Sequence, residues 1–269
     1  MRPHAIALSW RSGLVMAVAS LAGLMMLAWP LLVDVEQGSG FQPPFVFMLL
    51  LPAVVLVVLA EVSEGGIDAR VLALLGVLSA VNAMLRMVSA GLAGVEFVFF
   101  LLVLAGRVFG PGFGFVLGAT SLFASALMTA GVGPWLPFQM LCSAWVGLFA
   151  GLLPHRLGGR EIRGRAEIVL LVLYGVVAAY AYGLLMNLSG WPFALGVTVP
   201  GYEGELAFIP GAPLLENLHR FAIYTLLTST GSWDTGRAIT NAVAIVLLGP
   251  ALLATLRRAS RRVVIHAPS

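Results

Sequence analysis

VFGPGFGFVLGATSLFASALMTAGVGPWLPFQMLCSAWVGLFAGLLP, residues 108–154, runs for 47 positions without a single charge. A helix crosses the hydrocarbon core of a bilayer in roughly 20 apolar residues, so this stretch is too long for one span and long enough for two. Gly131-Val132-Gly133-Pro134 lies near its middle and supplies the turn, because glycine permits tight backbone angles and proline ends helices. The stretch therefore reads as two antiparallel membrane helices. The apolar-out, polar-in alternation of a barrel is absent, and an isolated span must satisfy its own backbone hydrogen bonds, which leaves helices.

Working outward, further apolar stretches stand at 12–33, 44–62, 70–90, 92–107, 167–189 and 235–256, beside 112–131 and 135–153 from the decisive run. The expected fold is an all-α polytopic bundle of about eight spans. Composition agrees: 60% of the chain is hydrophobic and 10% charged, where soluble domains run about 25% charged. The stretch 12–33 follows Arg2 and Arg11 as a signal peptide would. It is as long as a full span and has no convincing small-residue cleavage site, so it reads as a retained helix.

All fifteen basic residues are arginine. With a cytoplasmic N-terminus and eight spans, Arg2, Arg11, Arg70, Arg107, Arg156, Arg160, Arg163, Arg165, Arg257, Arg258, Arg261 and Arg262 fall in inner loops. Only Arg86, Arg220 and Arg237 fall outside. The positive-inside rule thus places both termini in the cytoplasm and the protein in the plasma membrane as a multi-pass chain. The basicity belongs to topology and argues against nucleic acid as a partner.

Catalytic motifs are missing. The chain has no phosphate loop, no H-E-x-x-H and no G-x-S-x-G, so it does not hydrolyse ATP by the usual device. His4, His155, His219 and His266 are far apart, Cys142 stands alone, and neither a metal nor a cofactor is expected.

The informative polar residues sit near the expected outer ends of spans. Asn82 and Arg86 are four apart near the end of the third span, Glu96 precedes the fourth, and Trp233, Arg237 and Asn241 open the last. Charges at such depth face a cavity or pair with one another; Arg86 either snorkels to the interface or pairs with Glu96, and Asp234 and Arg237 suit an exposed i, i+3 pair. Trp135 belongs to an aromatic belt or a pocket wall, while Gln139 one turn below favours a polar cavity or a neighbouring helix. Together these residues describe an outward-facing pocket. Ala69, Ala73, Gly76 and Ala80 place small residues along the third span, which lets helices approach closely. The long outer segment 190–233 reads as a surface loop or a lid, with an amphipathic interfacial helix at 214–228.

Residues 70–153 resemble a known family. Glu96-Phe97-Val98-Phe99-Phe100, then Ala105-Gly106-Arg107-Val108-Phe109-Gly110-Pro111-Gly112-Phe113-Gly114-Phe115, then Gly133-Pro134-Trp135-Leu136-Pro137-Phe138-Gln139-Met140 follow the order seen in the S components of energy-coupling factor vitamin transporters. The resemblance implies a six-helix module over 64–269, preceded by two extra helices in 1–63. It also implies a subunit without enzymatic activity that captures a vitamin or precursor and docks on a membrane coupling subunit driven by two ATPases. Ala69 and Ala73 match the family's Ala-xxx-Ala docking motif, with Gly76 and Ala80 continuing it. A bulky, cobalamin-like ligand is favoured; queuosine precursors and thiamine-related compounds stay open. The alternative from a different class is a membrane-embedded enzyme using Asp234, Arg237 and Glu96 on a lipid-linked substrate, and a third is a purely structural subunit.

Overall fold

The computed structural model describes residues 5–6, 8–32, 43–64, 68–89, 94–194, 199, 202 and 204–264. The helices are α1 (Trp10–Leu27), a short α2 (Trp29–Leu32), α3 (Pro43–Glu64), α4 (Ala69–Ser89), α5 (Val98–Phe109), α6 (Pro111–Met128), α7 (Leu136–Leu152), α8 (Arg165–Gly190), α9 (Leu214–Thr225) and α10 (Thr235–Val264). A small hairpin of β1 (Arg156–Leu157) and β2 (Arg160–Glu161) joins α7 to α8. Each of the eight expected spans corresponds to a helix. Helices α1, α4, α6, α8 and the run from α9 into α10 are long and apolar enough to cross a membrane. The fold is an all-α transmembrane bundle. Arg2, His4, His266, Pro200 and the expected start of the fourth span at 92–93 lie outside the described residues.

Local chemistry explains where these helices begin. Ser9 caps α1, its Oγ accepting from the Ser12 amide at 3.0 Å, which satisfies one of the donors left free at a helix start. Gly110 separates α5 from α6 at φ 96°, an angle that side chains with a Cβ rarely adopt, and Pro111 opens α6 with its φ already suitable. Helix α5 starts later than expected and has 12 residues, a rise of about 18 Å. That is short for a span, but nearly every residue of α5 is buried. It is enclosed by α4, α6, α7, α8 and α10, so its apolar side chains meet protein rather than lipid.

The closest helix pair is α6 with α7, and glycine makes it so. A Cβ on Gly114 would collide with the carbonyl of Gly147, and one on Gly147 with the carbonyl of Gly114. Gly118 stands in the same relation to Ser143, and Gly151 to Gly110 and Pro111. Gly114 and Gly118, like Gly147 and Gly151, are four apart, the spacing that bares one helix face for backbone contact. The first helices join this body: Trp145 of α7 donates from Nε1 to Ser20 of α1 at 2.9 Å. Met16 and Leu51 belong to the same buried core as Phe99, Leu117 and Ile245.

The segment after α8 departs from the expected loop. Trp191 is fully buried and donates from Nε1 to the Leu206 carbonyl at 2.7 Å. Its ring packs against Phe208 and Phe221. Asn217 brackets Ile209, donating to its carbonyl at 2.8 Å and accepting from its amide at 3.2 Å. This part of the connection is bonded down onto α9. Nor does the helix at 214–228 end before the last span. It continues from α9 through a nine-residue π-helical segment (Leu226–Asp234) straight into α10, because Ser229 and Asp234 bond to one another inside that segment and leave no break.

Candidate functional site

Three sets of polar side chains tie the helices together. One joins α4 to α6 and α7 at the end of the bundle away from the α7–α8 hairpin. Asn82, fully buried, donates from Nδ2 to Ser121 Oγ at 3.0 Å. One turn on, Arg86 donates from Nη1 to Ser125 Oγ at 3.0 Å and from Nη2 to Gln139 Oε1 at 3.1 Å. Ser79 and Thr120, 2.9 Å apart, extend the row by another turn. Three of the residues singled out in the sequence, Asn82, Arg86 and Gln139, therefore form one ladder, spaced by the helical repeat.

The second set lies at the same end, between α5 and α10. Arg237 donates from Nε to Glu96 Oε2 at 2.6 Å and from Nη1 to Asp234 Oδ1 at 3.0 Å. Its guanidinium also stands 5.6 Å from the Phe99 ring centroid and 5.0 Å from that of Tyr182. Two carboxylates and two aromatic faces thus compensate a cation withdrawn from water. The Asp234–Arg237 pair is buried, not the exposed pair its spacing suggests. The π segment turns Asp234 inward against Gly183 of α8, where any Cβ would strike the carboxylate. Glu96 pairs with Arg237 and not with Arg86. Its side chain stays 25% exposed, so this cluster is open where the carboxylate stands.

Asn241 has a different part. Its Oδ1 accepts from the Phe100 amide at 2.6 Å, and its Nδ2 donates to the Glu96 carbonyl at 2.9 Å and to the Arg237 carbonyl at 2.7 Å. Helix α5 has no capping side chain of its own, and Phe100 is the third residue of that helix. Asn241 supplies the missing acceptor from α10, performing an N-cap across helices. Gly94, at φ 85°, lets the same strand of chain lie against the backbone of Ser232 and Trp233. Glu96 is thereby held on both sides.

Tyr182, which the sequence reading passed over, belongs to the second set. Its ring meets Phe99 edge-on at 4.9 Å, and the Arg237 guanidinium stands 5.0 Å from its centroid. A signal for it was available. Tyr174, Tyr180 and Tyr182 place three hydroxyls within one apolar span, and such groups seek partners inside a bundle. Tyr174 finds the Val146 carbonyl at 2.6 Å and Tyr180 the Thr235 hydroxyl at 2.8 Å. Trp135 and Trp233, at 52% and 41% exposure, stand at the rim of this end rather than in its interior.

The third set occupies the opposite, arginine-rich end and was read from sequence as loop charge alone. Arg107 is buried in α5 and donates from Nε to Glu167 Oε1 at 2.9 Å. Its Nη1 donates to the carbonyls of Leu153 and Pro154 at 2.9 and 3.0 Å, where α7 ends. Arg257 of α10 reaches both oxygens of Glu167, at 2.7 and 2.6 Å. Three helices meet on one carboxylate, and Arg107 ties in the end of a fourth. Elsewhere, Ala69, Ala73, Gly76 and Ala80 are all exposed on α4, and a Cβ on Gly76 would touch nothing within 4 Å. The stripe faces away from the protein's own core.

The class this defines is a polytopic helical membrane protein with a partly open, ion-paired and aromatic site at one end. Comparison with protein families narrows it: residues 70–256, from α4 to α10, match the family model described as ECF transporter, substrate-specific component. The chain belongs to that family, whose members are transporter subunits. No match was found among curated proteins or among solved structures.

Proposed function

We propose that this chain captures a vitamin or vitamin precursor at the end of the bundle that carries Arg86, Gln139, Tyr182, Glu96 and Arg237, and that this end faces outward. The single observation that supports this most is the partial exposure of Glu96 within an otherwise buried charge cluster. A purely structural ion pair in lipid is best sealed, whereas a binding site must open somewhere. Asn82, Trp135, Trp233 and Asn241 complete the site, the tryptophans as its rim and Asn241 by positioning Glu96 and α5. Cobalamin-like compounds are the favoured ligands, given the aromatic rim that Trp135 and Trp233 supply. The enzyme alternative is weaker, since Glu96 and Asp234 are both engaged by Arg237 instead of standing ready as bases.

The exposed small-residue stripe of α4 is the docking face for the coupling subunit, which two ATPases drive. Orientation follows the arginines, with both termini in the cytoplasm of a plasma-membrane protein. The test is to purify the protein from cells grown on rich medium, release any bound small molecule and identify it by mass spectrometry, with cyanocobalamin as the added reference. A co-purifying cofactor-like molecule lost in Glu96→Gln supports the site; binding that is indifferent to this change overturns it. Ala73→Leu is expected to abolish co-purification with the coupling subunit while changing stability by less than about 0.5 kcal/mol. Retained assembly sinks the docking face.

A further inference from the structure

The connection between α7 and α8 lies at the far end from the proposed substrate site, and its geometry is specific. The Ile162 amide donates to the His155 carbonyl at 2.9 Å and closes the base of the hairpin. Arg156 stands opposite Glu161, and Leu157 opposite Arg160. Gly158 and Gly159 take φ of 56° and 78°, the left-handed angles of a two-residue turn suited to strand twist. Opposite residues on paired strands share a face, so the hairpin presents Leu157 and Arg160 together, an apolar side chain beside a cation. Leu157 is 74% exposed.

Charge on this hairpin is unbalanced. Arg163 pairs with Glu161 at 2.9 Å. Arg156, Arg160 and Arg165 are exposed and have no ion-pair partner among the described residues. Arg165 occupies the first turn of α8, where the helix dipole disfavours a cation, so helix stability does not account for it. Through Arg257 and Glu167 the end of α10 is drawn to the first turn of α8, which brings exposed Arg258 and Arg261 to the same end.

We propose that this hairpin is an interfacial anchor for anionic phospholipid headgroups. The connection spans only the residues between Leu152 and Arg165, so it must lie at the membrane surface. There Leu157 enters the headgroup boundary while Arg160 beside it and Arg165 at the start of α8 meet lipid phosphates. An apolar tip flanked by arginines is the chemistry of an interfacial segment, and anionic headgroups attract such cations over a Debye length. A protein partner would need an acidic surface with a pocket for Leu157, which the open, shallow hairpin does not shape.

The experiment uses the full chain in nanodiscs of phosphatidylcholine, with and without phosphatidylglycerol, and reads thermal stability and retained phosphatidylglycerol by native mass spectrometry. Wild type is expected to gain stability from phosphatidylglycerol at low salt and to lose that gain at high salt. Changing Arg160 or Arg165 to Gln lowers phosphatidylglycerol retention by about fivefold each, whereas changes to Lys preserve it. Arg160→Gln, altered at an exposed position, carries the test if Arg165→Gln does not fold. A salt-insensitive gain, or equal retention by wild type and Arg160→Gln, overturns the proposal. So does loss of the coupling subunit from the purified complex with lipid retention unchanged, which would assign the hairpin to a protein partner.

Discussion

Arg107 and Arg237 are both buried guanidiniums facing carboxylates, one at each end of the bundle, and their surroundings differ. Arg107 meets Glu167 in a sealed place, with side-chain exposures of 1% and 2%, and spends two further bonds on the carbonyls that end α7. Arg237 meets Glu96, whose side chain is 25% exposed, and lies against aromatic faces beside a π-helical turn. Helices with π geometry are uncommon and concentrate at functional sites. A cluster whose carboxylate is covered, with only the cation Arg257 reaching the surface at 32% exposure, and which captures helix-end carbonyls, holds helices together; one whose carboxylate is itself open and flanked by rings has room for something else. The two ends teach that in this bundle a buried charge is not by itself a sign of function. What surrounds it decides.

The same chemical change at the two ends sharpens that contrast. Glu167→Gln removes the carboxylate shared by Arg107 and Arg257 and leaves a buried cation uncompensated. A loss of about 3–5 kcal/mol in stability is expected, read as an early thermal transition in detergent. A variant as stable as wild type would break the assignment of this end as a clamp. Glu96→Gln keeps Arg237 paired with Asp234 and retains an amide oxygen for its Nε. Here the expected stability loss is about 1 kcal/mol, while affinity for the co-purified molecule falls about tenfold, measured by calorimetry on the same preparation. The reverse order, with the larger stability loss at Glu96, would make the two clusters alike.

Gln139→Ala is a smaller perturbation, since Arg86 keeps its bond to Ser125. A fall of about fivefold in affinity with unchanged stability places Gln139 at the ligand. Loss of stability without loss of affinity would return the Arg86 ladder to helix packing, as in the sealed cluster at the other end.

Much of this was legible in the chain. The small-residue spacing of α4 is visible in the sequence, while the one in α6 and α7, at Gly114, Gly118, Gly147 and Gly151, carries the tightest packing yet does not stand out there. Glycine is common throughout this sequence, so four-residue spacings arise by chance and only the partner helix distinguishes them. The continuity of α9 with α10 was equally hidden, because Ser229, Gly231, Ser232 and Asp234 have the composition of a loop. The Ser229–Asp234 bond and the bond from Thr235 to the Thr230 carbonyl hold the segment helical.

By itself the sequence determined the membrane class, the eight helical stretches and the gathering of arginine at alternate connections, because each is a local property of roughly twenty neighbouring residues facing lipid. It also brought Asn82, Arg86, Glu96, Gln139 and Arg237 to notice, since polar groups in apolar spans are costly and therefore conspicuous. Only the tertiary structure decided which of them meet. Glu96 and Arg237 are 141 positions apart, Glu167 and Arg257 90, and Arg107 and Glu167 60. Helix packing sets those encounters, and no local pattern encodes the rotation by which α5 turns Arg107 toward α8 while its preceding residues reach α10.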